Sequence, residues 1–99
     1  MTAPQFEFEG ELWEWDGPSA WHFVSLPEEL ADLITEAFGE HARGFRSLRV
    51  EVSIGSAVWR TSIFPDKQRA TYLLPVKKEI RQRLGLDTGA RAQVGITVL

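Results

Sequence analysis

Alternation of apolar and polar side chains with a period of two runs through most of this chain, and it confines the fold to strands with one buried face. Leu48, Val50, Val52 and Ile54 alternate with Arg49, Glu51 and Ser53, and Ala92, Val94, Ile96 and Val98 alternate with Arg91, Gln93, Gly95 and Thr97. Gly55-Ser56 turns the first of these strands into a hairpin partner at Val58–Ile63, and the polar loop Asp66–Arg69 precedes a further strand at Thr71–Leu74. Near the N-terminus Phe6-Glu7-Phe8-Glu9 shows the same pattern, but after Gly10 the aromatics Trp13 and Trp15 stand on odd positions. A phase slip beside a glycine predicts a β-bulge or sharp bend there. Asp16-Gly17-Pro18-Ser19 reads as a turn and Trp21–Ser25 as the returning strand.

Two segments break the period of two. The first begins at Pro27, whose missing N–H is harmless at a helix start, and has Glu28 and Glu29 at the positive end of the helix dipole. Leu30, Leu33, Ile34, Ala37 and Phe38 form its apolar stripe. The second begins at Pro75, carries Val76, Ile80 and Leu84 at helical spacing, and places Lys77, Lys78, Arg81 and Arg83 on its outer faces. Gly85 suits the left-handed position that ends a helix, with Leu86 as the apolar contact after it.

The chain has 99 residues, 43% of them hydrophobic, which fits one globular domain over residues 1–99. With no cysteine it has no disulfide, no thiolate zinc site and no thiol nucleophile. No apolar run approaches the ~20 residues of a membrane helix. Glu7, Glu9 and Glu11 stand where a signal peptide would be basic and then apolar, so the expectation is a soluble cytoplasmic protein with no membrane partner. The net charge of −3 hides an asymmetry: residues 1–42 hold ten acids and no Lys or Arg, and residues 43–99 hold all 11 bases and four acids. Such a split either marks a nucleic-acid or membrane surface or lets an acidic half pair with a basic half inside one fold. The pairing reading is favoured, because an acidic chain repels polyanions at long range.

The halves, roughly 5–50 and 51–99, also repeat each other. Phe23-Val24-Ser25-Leu26-Pro27 and Thr71-Tyr72-Leu73-Leu74-Pro75 each run from strand into a Leu-Pro and then a short helix, with the Leu-Pro pairs 48 positions apart. Neither half is large enough to bury its own apolar face, so the two must interleave. Leu74–Gly89 is similar to the swapped-hairpin pattern of bacterial transition-state regulators and antitoxins. The whole chain, over about residues 5–98, resembles more closely the small bacterial and archaeal domain-of-unknown-function family nineteen-oh-five. The marks of that resemblance are Trp21-His22-Phe23-Val24-Ser25-Leu26-Pro27, Arg60-Thr61-Ser62-Ile63-Phe64-Pro65 and Tyr72–Arg81. It departs from the family in its last turn, where Gly89 is followed by Ala90 instead of Asp. The resemblance implies a mainly β fold, a small closed double-split β-barrel with a pseudo-two-fold repeat and two short α-helices. One chain then supplies both halves, so a monomer or weak homodimer is expected.

No catalytic constellation stands out. His22 lies between Trp21 and Phe23 and reads as an edge histidine; His41 has only Glu36 and Glu40 near it in sequence, too few converging ligands for a metal. Glu7, Glu9, Glu11 and Glu14 read as a solvated strand face. The serines form no nucleophile elbow and the glycines no phosphate loop. The four tryptophans and the Trp/Phe alternation could serve base or sugar stacking, but the favoured reading assigns them to the core, where aromatics bury most area per residue. What remains is basic: Arg60, Lys77, Lys78 and Arg81, with Ser62 beside them in the segments that carry the resemblance, form the candidate ligand-binding set. The expectation is a non-catalytic binding or interaction module without cofactor, metal or catalytic residues, whose partner is an unidentified small ligand or protein. A nucleic-acid-binding regulator comes second, with only weak, salt-sensitive duplex association, since bases that pair with Glu28, Glu29 or Glu36 are lost to phosphate. An enzyme comes third and would need Lys77 or His22 as its reactive group.

Overall fold

The computed structural model describes residues 3–17, 20–42 and 44–99. Its six strands are β1 (Phe6–Glu14), β2 (His22–Ser25), β3 (Leu48–Ile54), β4 (Ala57–Asp66), β5 (Thr71–Pro75) and β6 (Arg91–Val98). All neighbours are antiparallel, and they close a barrel in the order β1-β2-β5-β4-β3-β6, with β6 returning to β1. Helix α1 (Glu28–Phe38) links β2 to β3, and helix α2 (Lys78–Leu84) links β5 to β6. The mainly β closed barrel with two helices is the fold expected from the strand periodicity, the internal repeat and the resemblance together. Among the described residues no helix is long and apolar enough to cross a membrane.

Two long strands change partners along their length. β1 pairs with β6 from Phe6 to Glu11 and with β2 from Leu12 to Glu14; β4 pairs with β3 from Ala57 to Ile63 and with β5 from Phe64 to Asp66. The barrel is therefore two sheets sharing β1 and β4, one completed by β6 and β3, the other by β2 and β5. Exchanging the first three strands with the last three leaves the order unchanged. The helix starts, Glu28 and Lys78, are 50 positions apart. The same spacing relates two hydrogen bonds: Leu26 N–H donates to Tyr72 O, and Val76 N–H to His22 O, each at 3.0 Å. The Leu-Pro spacing of 48 is thus one strand period short of the structural repeat. Pro27 is the residue that caps α1, whereas Pro75 ends β5 opposite Phe23 and Lys77 caps α2. Proline fits both places because neither a helix start nor a strand end requires its N–H.

Inward-facing Leu12, Val24, Val50, Val52, Ile63, Leu74, Val94 and Ile96 fill the barrel. β2 and β5 lie side by side and run in opposite directions, so the helices that follow them leave at opposite ends. Ala31 and Ile34 of α1 close one end, where Thr35 Oγ1 lies 3.1 Å from the Tyr72 hydroxyl. Val76, Ile80 and Leu84 close the other. The stripe on α1 is narrower than its spacing predicts, because Leu33 and Ala37 are exposed and Ala31 takes the buried place. α2 ends as expected, with Gly85 at φ 65 and Leu86 N–H bonded to Arg81 O at 2.8 Å.

Two other expectations are corrected. β1 has no bulge: Phe8, Gly10 and Leu12 all face inward, and the alternation is unbroken. Gly10 hides the phase, since a side chain there would collide with Val24 and crowd the Phe8 ring. Tryptophan does not build the core. Trp15 and Trp21 are exposed, Trp13 is half-buried on the outer face, and only Trp59 leans on the core residues. Of the Asp16–Ser19 turn, Asp16 and Gly17 form a bend; Pro18 and Ser19 lie outside the described residues, as does Arg43.

Candidate functional site

Residues directly opposed on antiparallel strands share a face. Trp13 opposes Phe23, Phe23 opposes Pro75, Ser25 opposes Leu73, and Leu73 opposes Phe64. Their neighbours Leu12, Val24 and Leu74 point inward, so this set covers the outside of the sheet made by β1, β2, β5 and β4. Trp15 and Trp21 extend it toward the β1–β2 turn, where Trp15 N–H donates to Trp21 O at 2.7 Å. The rings form one group around Phe23: Trp13 at 5.3 Å, Trp15 at 6.0 Å and Trp21 at 6.1 Å between centroids. Trp13 is anchored by its Nε1–H, which donates to Ser25 Oγ at 3.0 Å. Trp15 is 41% exposed, Trp21 62% and Phe64 41%.

Arg69, from the turn between β4 and β5, reaches over this face. Its guanidinium carbon lies 4.3 Å from the centre of the Trp13 ring and 5.6 Å from that of Trp15. Asp66 fixes it there through a 2.6 Å bond from Arg69 Nη1, and also accepts Gln68 N–H at 2.9 Å. The Arg69 hydrogen bond, with help from the Gln68 N–H and against a small desolvation effect, holds the Asp66 carboxyl below its ordinary range. The result is an aromatic surface carrying one stacked guanidinium whose charge is already matched.

The five residues chosen from sequence fall into two groups. Arg60 and Ser62 lie on the outside of the other sheet, where Arg60 pairs with Glu51 at 3.5 Å and Ser62 accepts a 3.4 Å bond from Arg49 Nη1. Arg60 also lines a groove of about 300 Å³ with His41, Leu48, Arg49 and Leu99. Lys77 and Lys78 are exposed at the start of α2, and half-buried Arg81 donates from Nε to Val76 O at 3.3 Å. Lys77 follows Val76, whose N–H bonds His22 O, so it lies just past the end of the β2–β5 ladder, at the end of the sheet where Trp21 precedes β2. Sequence reasoning missed Asp66 and the place of Arg69 over the rings, and it put the outward tryptophans in the core. The available signal was the shared odd parity of Trp13, Trp15, Trp21 and Phe23 in adjacent strands.

The two histidines and Arg91 are engaged within the fold. His22 has Thr88 Oγ1 3.1 Å from Nε2 and Ala20 O 3.2 Å from Nδ1, and His41 packs edge-on against Phe38 with the ring centres 5.9 Å apart. Arg91 of β6 bonds Glu9 of β1 at 2.6 Å and lies 3.9 Å from Glu11, so the acidic and basic halves do meet. The ion pairs of the described residues use Glu9, Glu11, Glu51 and Asp66, not the α1 acids Glu28, Glu29 and Glu36. Among the described residues no three His, Asp or Glu side chains converge to hold a metal ion. A second groove, of about 390 Å³, lies between α1 and the β4–β5 turn.

The family model described as Domain of unknown function (DUF1905) matches residues 8–96. No curated protein matches the chain. The matched span takes in β1 from Phe8, β6 as far as Ile96, the four other strands, both helices and every residue of the aromatic face. The chain belongs to the DUF1905 family.

Proposed function

We propose that this protein is a non-catalytic binding module whose ligand face is the outer surface of the β1-β2-β5-β4 sheet. The observation that carries the reading is the continuous group of Trp13, Trp15, Trp21 and Phe23, left open to solvent at Trp15 and Trp21. A small barrel needs none of these rings to fill its interior, and exposed contiguous aromatics are the usual mark of a recognition surface. The partner switching of β1 and β4 supports a double-split barrel made by a single chain, hence a monomer or weak homodimer; the bacterial, cytoplasmic setting rests on the sequence reading alone. The mixed outer charge, with Arg60, Arg69 and Arg91 each on a carboxylate, ranks this reading above a duplex-DNA regulator. The test is to present the native protein and Trp21→Ala to arrays of short peptides, oligosaccharides and single-stranded oligonucleotides. The expected result is a class retained by the native protein and lost by the variant. Equal retention of every class by both proteins would overturn the proposal.

A further inference from the structure

The groove of about 390 Å³ between α1 and the β4–β5 turn carries chemistry of its own, and the rings of the aromatic face are not in its lining. We propose that it binds a small organic carboxylate that bears a hydroxyl group at its far end. Arg46 and Lys67 take the acid, and Tyr72 takes the hydroxyl.

Backbone strain in two separate turns converges on this groove. Among the described residues, three other than glycine have positive φ: Phe45 at 59, Arg46 at 60 and Ala70 at 54. Arg46 and Ala70 both line the groove. The first turn is pinned by Gly44 O, which accepts Ser47 N–H at 3.2 Å and Ser47 Oγ at 2.9 Å. The second is closed by Ala70 N–H donating to Lys67 O at 3.3 Å. Glycine would adopt either backbone freely, and the chain carries side chains there instead. Left-handed residues of this kind gather at ligand sites, where the surroundings hold them in place.

Hydroxyl groups define what the buried part of the groove can accept. Tyr72 is only 7% exposed and Thr71 is buried beside it. Thr35 Oγ1 commits its one proton to Ala31 O at 2.9 Å, so in its 3.1 Å contact with the Tyr72 hydroxyl the tyrosine is the donor. Thr71 commits its proton to Leu26 O at 2.6 Å. These hydroxyls therefore offer a ligand lone pairs alone, and the ligand must bring the donor. A neutral hydroxyl suits them better than an ammonium, whose burial against neutral acceptors is unfavourable.

The exposed part of the lining is charged. Arg46 and Lys67 take part in no ion pair among the described residues. Asp32, exposed and likewise unpaired, offsets one of them, and Asp66 is matched by Arg69. One positive charge is left over, which selects a monoanion. Ala31, Ala42, Pro65 and Ala70 supply the apolar lining that an aliphatic stem needs.

The experiment follows the backbone amides of Ala31, Ala42 and Ala70 in the whole protein by NMR. The probes are ω-hydroxyhexanoate, hexanoate, hexanediol and ω-aminohexanoate, with the four-carbon member of each series. The hydroxy acid is expected to bind about 3–10-fold tighter than the plain acid, about tenfold or more tighter than the diol, and tighter than the amino acid. Tyr72→Phe is expected to remove the advantage of the hydroxy acid and to leave the plain acid unchanged. Lys67→Gln is expected to weaken both acids about threefold. Arg46→Gly is the deciding variant: both acids weaken about tenfold and the diol does not, while Tm holds or rises by up to about 5 °C as the turn relaxes. An Arg46→Gly protein that binds the acids like the native one, or melts more than about 5 °C lower, would overturn the proposal. So would equal affinity for acid and diol, tighter binding of the amino acid, or no shift at these amides with any probe.

Discussion

The two outer surfaces of the barrel differ although they share β1 and β4. Outside the β1-β6-β3-β4 sheet most of the exposed surface is polar and paired, Glu9 with Arg91, Glu51 with Arg60 and Arg49 with Ser62, with Val58 standing exposed on β4. Outside the β1-β2-β5-β4 sheet Trp13, Phe23, Leu73 and Phe64 pack side by side, Phe23 and Leu73 buried, Phe64 exposed, and one arginine crosses them. The interior does not distinguish the sheets, since Val52 beneath one and Leu74 beneath the other are equally shut from solvent. One surface is therefore built for water and the other keeps apolar area the fold does not use. Recognition is more economically sought on the second.

The sharpest way to break this comparison is to show that the aromatic sheet is held together from outside. If the interior carries it, Leu74→Ala lowers the unfolding free energy in denaturant titrations by about 2–5 kcal/mol, as expected for a buried leucine. A loss below about 1 kcal/mol would mean that the sheet leans on its outer aromatics instead. Gly10→Ala comes next. A methyl group there meets Val24 and Phe8, so a loss of about 1–3 kcal/mol is expected, and an unchanged midpoint would contradict the inward placement of β1.

These two positions also show how far the sequence could be read. The clean alternation of β3 and β6 gives strand and inner face together, because only one parity is apolar. In β1 both parities are apolar: Phe6, Phe8 and Leu12 on one, Trp13 and Trp15 on the other. Periodicity separates two faces without saying which is buried, and Gly10 removed the one side chain that would have kept the inner phase visible. The Leu-Pro repeat gave the order of elements correctly and their alignment wrongly, since proline serves a helix start in one half and a strand end in the other. Arg60 reads in sequence as an isolated charge, whereas its pairing with Glu51, like that of Arg91 with Glu9, is a property of the closed barrel. Arg69 reaches Trp13 only through the β2–β5 ladder, a relation no local spacing carries.

On the charged surface, Glu51→Ala should change stability by under about 1 kcal/mol, and the difference should vanish in high salt, as for exposed ion pairs in general. A larger, salt-resistant loss would make that surface structural in its own right. The smallest expected effect is the pH response of the aromatic surface. Because Asp66 has a lowered carboxyl in the folded protein, its hold on Arg69 is complete above the ordinary value of 3.8 and is lost as pH falls through the lowered one. Near-ultraviolet circular dichroism of the tryptophans should therefore show a transition below that value. Asp66→Asn should abolish it, and a transition that survives the substitution would assign it to another group.

The central claim, that the outer aromatics serve binding and not folding, is tested most directly by the unfolding free energy of Trp21→Ala. Trp21 is 62% exposed, and the account predicts a stability within about 0.5 kcal/mol of the native protein. A loss of 2 kcal/mol or more, of the order expected for truncating a buried large side chain, would place Trp21 among the residues that hold the barrel together and contradict the account.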